Sequence, residues 1–333
     1  MRAFVTGATG FLGGNLVQAL LDQGHEVRGL VRSKEKAAKA FPSAKIDFVT
    51  GDMSNVAGFA PSLAGCDVLF HTAAYFREYF QPGDHKATIQ KINVQGTVDL
   101  LIAAEKQRVA KAIHISSAGV VGRKPDGSAG DENSLPDDHA TSNLYFASKI
   151  DTELAIQRFL KERNLPVAII LPSWMWGPGD WAPTPAGKLV LDFLKQKLPG
   201  VVDGGSSIVD VRDVALATIN AVERGKSGER YIVGGHYFDL AAVFQTLERV
   251  TGVPAPTRQI PHALSLAVAA ASQTWARFTG GQALVTLDGV RTMHGKVAVD
   301  SSKAARELGA SFRPFDETVR DEVAWFRSHG FSS

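Results

Sequence analysis

Residues 3–15 read AFVTGATGFLGGN, an apolar run that ends at a glycine-rich turn and passes straight into a helical pattern. Residues 3–7 have the character of a short buried strand, and Leu12, Leu16 and Leu20 then recur at helical spacing. A strand that feeds directly into a helix is the opening half of a crossover, the connection that parallel strands require. The pattern repeats along the first half of the chain. Apolar runs at 26–32 (EVRGLVR), 46–51 (IDFVTG), 67–73 (DVLFHTA), 111–117 (KAIHISS) and 167–173 (VAIILPS) alternate with helical segments, one of them carrying Val94, Val98, Leu101 and Ile102. Strands this apolar are buried on both faces, so the expected fold class is α/β, a doubly wound parallel sheet.

Beyond Ser173 the alternation loosens. The stretch WMWGPGDWAPTPAG is rich in Pro, Gly and Trp, and a helical segment at 238–250 is followed by Pro254, Pro256 and Pro261. A smaller, mostly helical region wrapped against the sheet is expected. The boundaries expected are 1–172 for the sheet domain, completed by 207–236, with 173–206 and 237–333 forming the second region.

Composition narrows the function classes. With 333 residues, 44% hydrophobic and 21% charged, the chain can bury a large core without covalent help. The most apolar segment, ALSLAVAAASQTWARF, is broken by Ser265, Ser272 and Gln273 and reads as an amphipathic or buried helix, not a membrane span. The start MRAFVTGATG lacks the pattern of a secretory signal, which makes the cytoplasm the default location. A single Cys66 excludes an internal disulfide and a multi-cysteine zinc site, and the nine histidines show no paired helical ligand spacing, so no metal is expected. The net charge of +2 is spread along the chain without basic blocks, which argues against nucleic acid.

Gly7, Gly10 and Gly13 stand three apart at the first strand-to-helix junction. A glycine turn there lets backbone approach a diphosphate, and the free N–H groups and dipole of the helix start favour its charge. Val31 sits at the end of the second strand, where an acid would bind ribose hydroxyls, and Arg32, Ser33 and Lys34 follow. A guanidinium at that place pairs with a 2′-phosphate, so NADP is expected over NAD. Asp52, just after the third strand, can accept from an adenine amine. Ala73 and Ala74 after the fourth leave room for a ribose or nicotinamide.

The stretch NLYFASKID places Tyr145 four residues before Lys149, on one face of a helix. In order along the chain, TGATGFLGG, GDMSN, HTAAY, NVQGT, HISSAGVVG, YFASK, LPSWMWGPGD, IVDVRDVA, GERYIVGG and DSSKAARELG resemble the extended short-chain dehydrogenase/reductases, in the branch of dihydroflavonol-reductase-like and 3β-hydroxysteroid-dehydrogenase-like proteins. The resemblance implies an NAD(P)-binding Rossmann fold in which Tyr145 is the acid/base, Lys149 its partner, Ser117 the substrate-orienting hydroxyl, and Asn93 the residue that holds a helix distortion. Ser116 would be structural. The cofactor set expected is Thr6, Gly7, Thr9, Gly10, Phe11, Leu12, Gly13, Arg32, Lys34, Asp52, Met53, Thr72, Ala73, Ala74, Tyr145, Lys149, Pro172 and Ser173. A free tyrosine, with a pKa of about 10, is a poor base near neutrality, and the Lys149 ammonium is expected to bring it down.

Departures from the family pattern limit the chemistry. Ala118 and Gly119 replace the acidic pair of dehydratases, Val121 replaces the tyrosine usual before the glycine of that motif in sugar epimerases, and Leu171 replaces an arginine. Tyr75, Phe76, Tyr79, Phe80, Trp174, Trp176, Trp181 and the segment after Pro261 are candidate pocket walls, with Ser117 at the reacting end. They imply an apolar or aromatic carbonyl substrate. The leading expectation is an NADPH-dependent reductase of ketones or aldehydes. A nucleotide-sugar or hopanoid-associated sugar epimerase and a non-catalytic NADP-binding regulator stay open, as does a homodimer.

Overall fold

The structure is a computed structural model that describes residues 1–42, 46–76, 83–279 and 287–331. Six strands form in the first half: β1 (Arg2–Thr6), β2 (Glu26–Val31), β3 (Asp47–Thr50), β4 (Val68–His71), β5 (Lys111–Ile115) and β6 (Val167–Pro172). Between and after them run α1 (Phe11–Asp22), α2 (Lys34–Ala40), α3 (Lys86–Ile89), α4 (Gly96–Lys106), α5 (Asp138–Ser142) and α6 (Leu144–Glu162). The second half adds β7 (Trp174–Trp176), α7 (Pro185–Leu194), β8 (Val201–Val202), β9 (Gly205–Asp210), α8 (Val211–Arg224), β10 (Arg230–Val233) and β11 (His236–Asp239). It closes with α9 (Leu240–Thr251), β12 (Gln259–Ile260), α10 (His262–Thr279), α11 (Leu287–His294), α12 (Ser302–Leu308) and α13 (Phe315–Ser328).

The main sheet has the order β10-β6-β5-β4-β1-β2-β3, with every neighbouring pair parallel. The strand period of two sorts its side chains between two cores. Ala3 and Val5 of β1 and Ala168 and Ile170 of β6 face one core with Leu16, Leu20, Val214 and Ala217 of α1 and α8. Phe4 of β1 and Val167, Ile169 and Leu171 of β6 face the other with Leu100, Leu101, Ile156 and Phe159 of α4 and α6. This is the doubly wound, Rossmann-like sheet that the apolar strand runs predict. At about 25 cal/mol per Å², each large side chain buried in these layers contributes about 1.5–3 kcal/mol before the entropy of ordering it is counted.

The structure adds detail to the sequence reading at three places. The buried face of α4 carries Thr97, Leu100, Leu101 and Ala104, whereas Val94, Val98 and Ile102 are only half-buried at its margins. The second region is mostly helical, carrying α7 and α9 to α13, and it adds short strands that the sequence reading did not expect: β7 pairs with β9 and β9 with β11 in a separate small sheet, and β8 pairs with β12 in another. Its core gathers Trp176, Val190, Phe193, Phe244, Val319 and Phe326. Helix α10 is amphipathic but largely uncovered, with Leu264, Val268 and Trp275 at 47%, 50% and 73% exposure. No helix among the described residues is long and apolar enough to cross a membrane.

Candidate active site

The strand order reverses direction between β1 and β4, and in sheets of this kind the crevice at the carboxyl ends beside such a point is where ligands bind. Gly7 leaves β1 with φ +67°, a left-handed conformation that glycine adopts freely. A side chain at Gly13 would run into the Gly7 carbonyl, and one at Gly7 would lie 2.9 Å from Ala73 N. Helix α1 starts at Gly10 with no side-chain cap and no acidic residue in its first turn, whereas α6, α7, α8 and α9 are capped by Asn143, Thr184, Asp210 and Asp239. Its first N–H groups and positive dipole end therefore fit a diphosphate.

The other residues expected at this cradle divide into surface and support. The β2–β3 pairing of Val31 with Thr50 brings the exposed Arg32 and Lys34 and the half-buried Asp52 to adjacent strand ends. The Ser54 hydroxyl and N–H hold the Asp52 carboxyl below its usual range, with a smaller contribution from Arg32. Thr9 is exposed, and Thr72, Ala73 and Ala74 are half-buried along the β4 exit. Thr6, by contrast, is wholly buried: its hydroxyl accepts from Ala73 N at 3.2 Å and lies 2.8 Å from His71 Nδ1. Phe11, Leu12 and Met53 are buried in the two cores, so they back the loop, and Pro172 is buried beneath Ser173, whose hydroxyl donates to Gly234 O at 2.8 Å.

Across the crevice, the Asn143 side chain accepts from Tyr145 N at 3.0 Å and Phe146 N at 3.1 Å, which fixes the first turn of α6. Lys149 lies one turn further, buried, with Nζ donating to Ile115 O at 2.8 Å and standing 5.8 Å from the Tyr145 ring centre. Burial pushes the Lys149 ammonium down to about 8, against a smaller upward pull from Glu153. Burial also raises the Tyr145 phenol above its ordinary value, contrary to the lowering expected from a neighbouring ammonium. Lys149 donates to a β5 carbonyl and not to the phenol, so burial alone sets the direction of the shift.

The two serines of HISSAG separate in role. Ser116 is buried and donates to Glu153 Oε1, while the half-buried Ser117 accepts from Gly119 N at 3.2 Å and faces the crevice end of β5. Gly119 packs directly on the Phe146 ring, so a side chain there, such as a dehydratase-like acid, would have to displace that ring. Asn93 lies in a π-helical turn, Gln90–Gln95, that interrupts the helix between α3 and α4. Its Oδ1 accepts from Tyr75 N at 2.7 Å and its Nδ2 donates to Ser148 Oγ at 3.1 Å. Its carbonyl, released from the regular ladder, accepts from Thr97 and Thr152 hydroxyls at 2.6 and 3.1 Å.

Among the aromatic candidates, Phe76 lies 4.7 Å ring to ring from Tyr145, and Tyr75 OH meets His85 Nδ1 at 2.8 Å. Trp176 is not a pocket wall: it is fully buried and packs edge-on against Trp174 and Phe315. Trp174 is half-buried beside it, and Trp181 packs edge-on against Trp325 and His329 instead. Tyr79 and Phe80 lie outside the described residues. Among the described residues no group of three or more His, Cys, Asp or Glu side chains converges to hold a metal.

A model of the NAD-dependent epimerase/dehydratase family matches residues 3–234. The chain belongs to that family, within the extended short-chain dehydrogenase/reductases. It is 35% identical to the protein named "Putative dihydroflavonol 4-reductase" of Synechocystis sp., over 98% of this chain and 95% of that one. It is 31% identical to sterol demethylase protein B of Methylococcus capsulatus, over 99% of both. Among solved structures, that of gox2253 superposes with a TM-score of 0.84 at 35% identity, covering 100% of this chain and 99% of the other.

Sequence reasoning missed a buried polar group behind the pair. His71 and His114 lie 5.2 Å apart, and Glu153 is held by Ser116 and by Arg230 at 2.9 Å. Thr97 gives its proton to Asn93 O, so His71 Nε2 donates to Thr97 and His71 Nδ1 accepts from Thr6, a neutral imidazole. Burial first and Lys149 second hold His71 down to about 3. The recoverable signal was Glu153 itself, eight residues after Tyr145 and therefore on the same helical face.

Proposed function

We propose that this member of the family is an NADPH-dependent reductase that converts an apolar ketone or aldehyde to the alcohol. The observation that carries the reading is the geometry of Tyr145 set one helical turn from Lys149, whose Nζ stands 5.8 Å from the tyrosine ring centre, with Ser117 just after the end of β5. The Gly7–Gly13 turn would hold a dinucleotide with Arg32 and Lys34 at its adenosine end, and that group, when bound, would supply the hydride. Ser117 donates to the substrate oxygen, where negative charge develops. Tyr145 gives its proton to that oxygen, and Lys149, cationic below about pH 8, stabilises the phenolate left behind. Phe76 and Tyr75 form the apolar wall. The steroid-like and flavonoid-like names of the most similar relatives favour the same substrate class.

The test follows NADPH absorbance with a panel of aryl ketones, sterol ketones, aldehydes and UDP-sugars. Tyr145→Phe is expected to abolish turnover while NADPH affinity stays within a few-fold, and Arg32→Ala to weaken NADPH with NADH little changed. Undiminished turnover by the Phe variant sinks the mechanism, and epimerisation of a UDP-sugar without net NADPH loss replaces the reductase reading.

A further inference from the structure

Tyr145, Lys149 and Glu153 form one column along α6, each a helical turn beyond the last. Glu153 is nine-tenths buried, a costly place for a carboxylate unless every lone pair has a use. Here each oxygen is engaged. Ser116, the residue before Ser117, donates to Oε1, and Arg230 of β10 stands 2.9 Å from Oε2. Arg230 is itself braced, its Nη1 donating to Glu132 O at 2.8 Å, while Glu132 Oε1 accepts from Ile232 N at 2.9 Å. The clamp joins the end of β5, helix α6 and the outermost strand of the sheet around one carboxylate.

Among the described residues the groups that face Lys149 are few. Tyr145 and Glu153 share its helix, His71 approaches from β4 and His114 from β5, and the Ile115 carbonyl accepts its proton. Both imidazoles are kept neutral by burial, so neither offsets nor adds to the ammonium near neutrality. Burial pushes the Glu153 carboxyl above its ordinary range, and Arg230, which stands 2.9 Å behind it, the Ser116 hydroxyl and Lys149 each pull it back toward the ionised form.

We propose that Glu153 is a positioning residue for the Tyr145–Lys149 pair: its carboxylate, clamped by Ser116 and Arg230, holds a negative charge one turn beyond Lys149 and keeps that buried side chain an ammonium. The clamp also fixes the end of β5 against α6, so the charge and the placement of Ser117 opposite Tyr145 are set by one device. The inference rests on the reading of Tyr145 and Lys149 as the reactive pair, but its first test needs no substrate.

The measurement is a ¹³C NMR titration of Lys149 Cε in the full chain. In Glu153→Gln, which keeps the shape and an acceptor for Ser116, the Lys149 midpoint is expected to fall by on the order of one pH unit, while Glu153→Asp stays closer to the parent. An unmoved midpoint in the Gln variant, or an equal fall in the Asp variant, overturns the proposal. Should the Gln variant not fold, the parent protein decides: Lys149 Cε must shift a second time at the pH where the Glu153 carboxyl carbon titrates, and a single-step curve overturns it. Once a substrate is known, the alkaline limb of kcat/KM is expected to move with the NMR midpoint. Failure of Tyr145→Phe to stop turnover would remove the catalytic reading and leave the Lys149–Glu153 titration standing as a separate result.

Discussion

Lys149 pays a price in stability for its place. A lysine free in solution titrates near 10.5, and here burial holds it to about 8. Between those values the unfolded chain binds more protons than the folded one, so stability rises with pH across that window, and below it the native state carries the full cost of a buried cation. Lys149→Met is therefore expected to abolish turnover and to stabilise the fold at pH 7 by up to about 3 kcal/mol, an advantage that shrinks as pH approaches 10. Guanidinium unfolding at pH 7 and pH 9.5 checks both, and a variant less stable than the parent at pH 7 contradicts the account. At this scale the sequence was legible where spacing carries the signal, as for Tyr145 and Lys149. It was not where direction matters: Trp176 and Trp174 look alike in a string of letters, yet one lies wholly inside the core of the second region and the other at its margin. The raised Tyr145 phenol was equally unreadable, because burial is a property of the assembled site.

The first turn of α6 depends on Asn143, whose side chain accepts two backbone N–H groups, one of them belonging to Tyr145. Asn143→Ala is expected to cost about 1 kcal/mol and to lower kcat more than it raises KM, with Asn143→Asp retaining most of both. Thermal unfolding beside steady-state kinetics checks this, and an unaltered kcat in the Ala variant would show that the turn holds without its cap. The strands of the large sheet were readable as elements because both faces are buried and each is a continuous apolar run. β7 was not, since three residues inside a Pro- and Gly-rich stretch become a strand only through pairing with β9, a contact between Trp174 and Ile208 that no local pattern announces. The π-helical turn at Asn93 is similar: the resemblance implies it, and what stabilises it is the pair of hydroxyls from Thr97 and Thr152.

Across the whole molecule, α13 ties the second region to the loop that follows β7. Glu322 on its inner face is fully buried, accepts from Gly177 N at 3.0 Å, and has its carboxyl pushed well above the usual range by burial and, secondarily, by Asp180 and Asp210. As pH rises past the ordinary carboxylate value, the unfolded chain loses a proton that the native state retains, so this group makes stability fall with increasing pH. Glu322→Gln keeps the Gly177 contact without that proton, and is expected to raise stability at pH 7 and to match the parent near pH 4; urea unfolding against pH gives the comparison, and a destabilised Gln variant at pH 7 counts against it. Long-range arrangements of this kind lie beyond a single sequence, because the partner of each buried charge comes from a distant segment.

The outer position of β10 has a consequence for how the molecule is made. β6, every residue of it buried in the finished fold, pairs on one side with β5 and on the other only with β10. During translation that second edge waits while roughly 60 further residues are added, about 3–12 s at ordinary elongation rates. Throughout that interval VAIILP presents an unpaired apolar strand to its surroundings, the kind of edge that recruits other chains. The ribosome-bound chain is therefore open to misassociation along this edge in that interval, and slow codons just ahead of Arg230 would lengthen the exposure.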